Sequence, residues 1–233
     1  MPSRKLPLLS VMTESMYAQP DSARRHLLLG GLAGTLLLAS GCSKTARPRG
    51  TPLASEATLL CLGDSLTFGY GAAAGAGYPE RLEQLTGHVT QNAGINGDTA
   101  EGALARLPDL LRNNTPGLVL VSIGGNDFLR SLPPERTHAA LKAIVQTAAG
   151  SAQVVLIAQP RPALLAAATG SLKDHEVYAD VAGETGVALF AGGWAYVLSR
   201  PELRSDQIHP NAQGYGIFAE RLAAWLRDMK FLG

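Results

Sequence analysis

Three residues far apart in the chain could together carry out acyl transfer. Ser65 comes just after the apolar run Thr58-Leu59-Leu60-Cys61-Leu62 and is preceded by Gly63 and Asp64. At the end of a buried strand its hydroxyl projects past the strand, and glycine at 63 permits the sharp turn this needs. The same position also suits a helix N-cap, which serine fills at many strand-to-helix turns. His209 precedes Pro210, a pairing that disfavours helical geometry at the histidine and starts a helix behind it. Asp206, three residues earlier, can hold one imidazole nitrogen and leave the other to take the proton of Ser65. A surface histidine beside a turn-forming aspartate is the plainer alternative. The chemistry also needs donors for a tetrahedral oxyanion. The Gly94 backbone N–H, the Asn126 side-chain amide and the Ser65 backbone N–H could supply them, though each is otherwise an ordinary turn residue.

These residues need a frame that brings them together. Thr58–Leu62, Val89–Ala93, Leu118–Ile123, Val154–Ala158 and Val187–Phe190 read as strands, the first and third being continuous apolar runs suited to the middle of a parallel sheet. Helical patterns fall between them, over Pro79–Leu85, Thr99–Arg112 (with a kink or restart at Pro108), Pro134–Ala149 and Leu172–Glu184. A terminal amphipathic helix, Asn211–Met229, is expected to bury Ile217, Leu222 and Trp225. Five strands separated by helices imply an α/β domain with a parallel sheet covered on both faces. In such sheets the ligand crevice lies beyond the carboxyl ends of the strands. Gly63-Asp64-Ser65, Asn92 to Asp98 and Gly124 to Asp127 each follow a strand, and so should converge on one edge.

Gly63-Asp64-Ser65-Leu66, Gly94, Gly125-Asn126-Asp127 and Asp206-Gln207-Ile208-His209-Pro210 occur in the order and approximate spacing of the GDSL, or SGNH, hydrolases, which this chain resembles from Thr58 to Leu226. Gly94-Ile95-Asn96-Gly97-Asp98-Thr99 and Leu104-Ala105-Arg106-Leu107-Pro108 are similar to the bacterial periplasmic branch that includes thioesterase/lysophospholipase enzymes and arylesterases. The resemblance implies a three-layer, flavodoxin-like α/β/α fold with strand order 2-1-3-4-5. It also implies a metal-free and cofactor-free serine esterase acting on small carboxylic esters or thioesters. Ser65 would be nucleophile, His209 base, Asp206 its orienter, and Ser65, Gly94 and Asn126 the oxyanion hole. A carbohydrate O-deacetylase on the same machinery and a non-catalytic binding lipoprotein of the same fold are the alternatives. The latter would lack one of the serine, asparagine or histidine, and all are present. The chain departs from its relatives mainly from Gln159-Pro160-Arg161-Pro162 to Lys173, which in the family borders the acyl-binding side.

Other motifs are incomplete. The segment around Ser65 is not a G-x-S-x-G elbow, because Gly69 lies four residues on. Gly69-Tyr70-Gly71 lacks the third glycine of a dinucleotide fingerprint and the lysine of a phosphate loop. His26, His88, His138 and His175 lack a setting like that of His209, and Asp174-His175-Glu176 reads as a solvated helix start. Leu66, Phe128 and Leu129 are either pocket lining for an apolar acyl group or core.

Of the 233 residues, 46% are hydrophobic and 17% charged, which excludes a largely disordered chain; the net charge of +1 argues against a general nucleic-acid binder. Residues 1–57 nevertheless carry seven Lys or Arg against three acids, a net of +4, which leaves −3 on the remainder. Arg24-Arg25 before an uncharged stretch from Leu27 to Ser43 has the build of an export signal, and it falls short of the roughly 20 apolar residues that span a membrane. Ala39-Ser40-Gly41-Cys42 resembles a lipobox, so Cys42 is the expected lipidation site, with plain secretion or retention as the alternatives. Ser22-Ala23-Arg24-Arg25 fits either a twin-arginine signal or an ordinary basic region. The expected organisation is an export signal over 1–42, a linker over 43–57 and one hydrolase domain over 58–233. Membrane contact would come through the lipid anchor alone, in an exported, periplasmic protein. Two cysteines, Cys42 and Cys61, provide neither a disulfide framework nor a metal site.

Overall fold

Runs such as Leu59-Leu60-Cys61-Leu62 and Leu118-Val119-Leu120-Val121 are apolar at every position, so each must be covered from both sides. In the computed structural model, which describes residues 49–161 and 172–233, they form the middle of a five-stranded parallel sheet. Its strands are β1 (Leu59–Gly63), β2 (Thr90–Gly94), β3 (Leu118–Ser122), β4 (Gln153–Ile157) and β5 (Ala188–Phe190), ordered β2-β1-β3-β4-β5. Strand order and direction are as the resemblance implied. Gly63 of β1 lies between Gly94 of β2 and Ser122 of β3, which puts the three strand ends level.

Alternate side chains go to opposite layers. Leu59, Cys61, Leu118, Leu120, Val155 and Ile157 pack with α2 (Tyr78–Thr86), α7 (Gly193–Leu198) and α8 (Ala212–Asp228), around the aromatic group of Tyr78, Trp194, Tyr215 and Phe218. Leu60, Leu62, Val119, Val121, Val154 and Leu156 pack with α3 (Ala100–Asn114), α5 (Pro134–Ala149) and α6 (Val177–Thr185). Two single-turn helices, α1 (Ser65–Phe68) and α4 (Gly125–Leu129), begin close behind β1 and β3; these and α7 are too short for a periodic signal.

Four expectations need correction. α3 runs through Pro108 without restarting, and the proline is exposed on its outer side. α6 starts at Val177 instead of Leu172, because His175 N–H donates to the Gln159 carbonyl and Arg161 N–H to the Lys173 carbonyl. These bonds, with the bridge between Pro160 and Asp174, hold 172–175 extended. On α8 the buried face is Tyr215, Phe218, Leu222 and Leu226, while Ile217 and Trp225 are only partly covered. The second half of the expected linker belongs with the domain. Gly50 and Leu53 donate to the carbonyls of Met229 and Phe231, and Thr51 exchanges two 2.7 Å bonds with the side chain of Gln153 at the start of β4.

The expected export signal, Cys42 and the first part of the linker lie outside the described residues, as does 162–171 of the divergent segment. No helix among the described residues is long and apolar enough to cross a membrane.

Candidate active site

The turn after β1 is set by sterics. A Cβ at Gly63 would overlap Thr67 Oγ1 and the Ser122 carbonyl, so only glycine lets the chain leave the sheet here. Asp64 then caps α1, its Oδ1 accepting from Leu66 N–H at 3.0 Å, which frees Ser65 from the capping role. Ser65 is the first residue of α1, and its own N–H has no acceptor among the described residues.

Its hydroxyl oxygen lies 3.0 Å from His209 Nε2. On the other side of the ring, Nδ1 is 2.8 Å from Asp206 Oδ2. A carboxylate only accepts, so Nδ1 carries the proton and Nε2 is left to accept from Ser65. Asp206 is fixed in turn by its second oxygen, which accepts the backbone N–H groups of Ile208 and His209, both at 2.8 Å. Burial pushes the Asp206 carboxyl up, but the imidazole N–H, these two backbone N–H groups and the imidazole's charge outweigh it and hold it below the usual carboxylate range. The loop closes locally: Ser205 N–H donates to the His209 carbonyl at 2.9 Å, and Asn211 caps α8 through Gly214 N–H. Tyr70 lays its ring 4.5 Å from the imidazole and accepts, at its carbonyl, a 2.8 Å bond from Tyr215.

The three donor candidates are not equivalent. Asn126 stands on the site with one amide hydrogen committed to the Asp98 carbonyl at 2.9 Å and the other uncommitted among the described residues. Gly94 differs. Its N–H donates to Asn92 Oδ1 at 3.0 Å, and it does not line the cavity at Ser65. A Cβ there would overlap Phe68 N, so its glycine already has a steric reason in the packing of α1 on β2.

That cavity has a volume of about 910 Å³. Leu66, Phe128 and Leu129, open between lining and core in the sequence, all face it, with Leu172, Leu198 and Ile208. Its floor is polar. Asp64 Oδ2 accepts from Gln159 Nε2 at 3.1 Å, Gln159 reaches Ser122 Oγ at 3.3 Å, and Trp194 Nε1 donates to the same hydroxyl at 3.0 Å. Burial raises the Asp64 carboxyl to a pKa of about 6, against the opposing bonds from Leu66 and Gln159. Asp174-His175-Glu176 leads into α6 as expected, with Glu176 exposed at its N-cap, but the first two residues are partly buried. His175 stacks on Phe128 with centroids 4.0 Å apart and planes 5° from parallel, Asp174 accepts from Gly192 N–H, and Glu176 pairs with Arg161. Burial, helped by the Arg161 charge, lowers the His175 pKa.

The family model described as "GDSL-like Lipase/Acylhydrolase family" matches residues 61–217, the stretch that holds every residue of this site. The chain belongs to that family. It is therefore a GDSL-type ester hydrolase, built on the SGNH fold. It is similar to the "Thioesterase 1/protease 1/lysophospholipase L1" of Escherichia coli K12, 36% identical over 182 residues that make up 76% of this chain and 86% of the relative. It is also similar to the arylesterase of Vibrio mimicus, 33% identical over 178 residues, 73% of this chain and 89% of the relative. Among solved structures, the psychrotrophic esterase EstA from Pseudoalteromonas superposes with a TM-score of 0.65 at 26% identity, covering 74% of this chain and 98% of that one.

Leu198 and Arg204 on the cavity of this GDSL hydrolase had no signal in the sequence, while Gln159, Arg161 and Leu172 were placed there only as part of the segment bordering the acyl side. Gln159 had a further signal, since it follows the end of β4 as Ser65 and Asn126 follow β1 and β3.

Proposed function

We propose that this hydrolase cleaves carboxylic esters or thioesters of modest acyl length through an acyl-enzyme on Ser65. The observation that carries the reading is the continuous relay of Ser65 Oγ, His209 and Asp206 at 3.0 and 2.8 Å, opening on a largely apolar cavity. Ser65 Oγ bonds to the carbonyl carbon while its proton passes to His209 Nε2, and the carbonyl oxygen becomes an oxyanion. As the tetrahedral species collapses, the bond to the alcohol or thiol breaks and the leaving atom takes the proton back from Nε2. Water then repeats the sequence on the acyl-enzyme, releasing the acid and restoring Ser65. Asp206 holds the ring in the required tautomer and balances the imidazolium.

The Ser65 N–H and the uncommitted Asn126 amide hydrogen are the donors for the oxyanion. Gly94 joins them by exchanging its bond to Asn92 for one to the substrate. Walls of Leu66, Phe128, Leu129 and Leu172 suit an apolar acyl chain longer than acetyl and not the open polar groove a sugar ester wants, which ranks the O-deacetylase alternative second. The printed names of the relatives, a thioesterase/lysophospholipase and an arylesterase, point to the same substrates, and the EstA structure is of an enzyme inhibited by monoethylphosphonate.

Ser65→Ala is expected to abolish turnover of p-nitrophenyl butyrate with the melting temperature unchanged, and a fluorophosphonate probe should label the parent at Ser65 and leave the variant unlabelled. Retention of more than about a tenth of the activity would overturn the assignment. The lipobox-like Ala39-Ser40-Gly41-Cys42 supports export with lipidation of Cys42, which mass spectrometry of the mature N-terminus tests directly.

A further inference from the structure

The wall beside His209 carries a cation that no neighbouring acid neutralises. Arg204 forms an antiparallel bridge with Pro210, which sets it alongside the histidine. Its side chain lines the cavity and is partly buried, and it makes no ion pair or side-chain hydrogen bond among the described residues. Residues 162–171 contain no aspartate or glutamate to serve it. The other arginine on the cavity, Arg161, is paired with Glu176, and nearby Arg106 with Asp98. None of the acids around this wall pairs with Arg204 among the described residues: Asp206 is held by His209 and two backbone N–H groups, Asp64 by Leu66 and Gln159 beneath the floor, and the exposed Glu202 makes no ion pair. A guanidinium facing an apolar volume without a counter-charge is costly unless an anion completes it, and its planar fork matches carboxylate and phosphate oxygens.

Its place indicates which half of a substrate it meets. His209 hands its proton to the leaving oxygen or sulfur, so groups next to His209 contact the alcohol or thiol half, while Phe128 and Leu172 lie towards the acyl half. We propose that Arg204 binds an anionic group, carboxylate or phosphate, on the leaving half of the substrate and thereby selects charged esters over neutral ones. This rests on the roles given above to Ser65 and His209.

The test compares 3-butyryloxy-4-nitrobenzoate with its methyl ester, two substrates with one acyl group and leaving phenols that differ by one charge. The ratio of kcat/KM, charged over neutral, should fall about tenfold in Arg204→Gln, mainly through KM, stay close to the parent value in Arg204→Lys, and fall further in Arg204→Glu. Reading a ratio within one preparation cancels partial loss of folded enzyme. Should the variants not fold, the parent alone decides: raising salt from about 0.05 to 0.5 M should weaken the charged ester and spare the neutral one. Phenyl phosphate and benzoate, as competitive inhibitors of p-nitrophenyl butyrate hydrolysis, rank the two anions, and the Ki of the tighter should rise in Arg204→Gln. A ratio equal within about twofold in parent and Arg204→Gln, or a parent whose two esters respond alike to salt, overturns the arginine's role and leaves the esterase assignment standing. A folded parent that hydrolyses neither ester overturns both.

Discussion

The two walls of the cavity are built in opposite ways. On one side, the loop from Arg204 to Asn211 closes on itself: Asp206 binds the next two backbone N–H groups and the His209 ring, and Ser205 returns to the His209 carbonyl. On the other, 159–161 and 172–175 pair with each other through the Pro160–Asp174 bridge and two backbone bonds, and lean on distant partners, with Phe128 stacked under His175 and Gly192 donating to Asp174. The first wall bonds within about one turn's length of chain and can hold an imidazole to a fraction of an ångström. The second pairs two stretches more than ten residues apart and adds stacking and single bonds to other elements, a construction that tolerates changes of shape. On the roles proposed above, proton transfer and the leaving half fall to the self-contained wall and acyl fit to the assembled one.

Asp206→Asn would strike the first wall hardest. Its Oδ1 can still accept both backbone N–H groups, so the loop should survive, but an amide NH₂ facing Nδ1 selects the wrong tautomer and kcat should fall about 10³-fold or more. Activity within tenfold of the parent would dissolve the distinction between the walls.

Asp64 joins them, with one oxygen on Leu66 of the serine turn and the other on Gln159 opposite. Its folded pKa of about 6 lies above the usual 3.8. Between those values the folded protein keeps a proton that the unfolded chain has released, so stability declines as pH rises through this window and the loss is complete above it. A shift of about two units corresponds to roughly 3 kcal/mol. Asp64→Asn does not titrate, so its urea-unfolding free energy should gain about that much on the parent between pH 4 and 7, and parallel pH curves would count against a buried, protonatable floor.

Phe128→Ala removes the support of His175 and should affect binding more than chemistry. The expected loss in kcat/KM for a butyrate ester is about tenfold, chiefly in KM, and smaller for an acetate ester. Equal losses of kcat on both esters would show that the second wall also positions the reacting groups.

The same contrast explains what the sequence disclosed. Ser65, Asp206 and His209 were legible because strand-end, proline and three-residue spacing signals are local, and the sheet order because five apolar runs alternate with helical periods. Arg204 gave no such signal: its meaning depends on having no partner, which only a folded neighbourhood defines. Leu172–Glu176 was misread as helix because its composition permits one, while the backbone bonds from His175 to Gln159 and from Arg161 to Lys173 prevail over propensity. Gly94 has a second reason to be glycine that no local signal carries, since a Cβ there would overlap Phe68 N.

The strip from Gly50 to Ala57 follows the edge where β3 and β4 begin, fixed there by Gln153, Met229 and Phe231. Ser65, Asn126 and Gln159 stand where strands finish, a full strand away, about 16 Å for five residues. The chain therefore enters this domain at the end of the sheet opposite Ser65, and the strip closes the base of the sheet instead of the cavity.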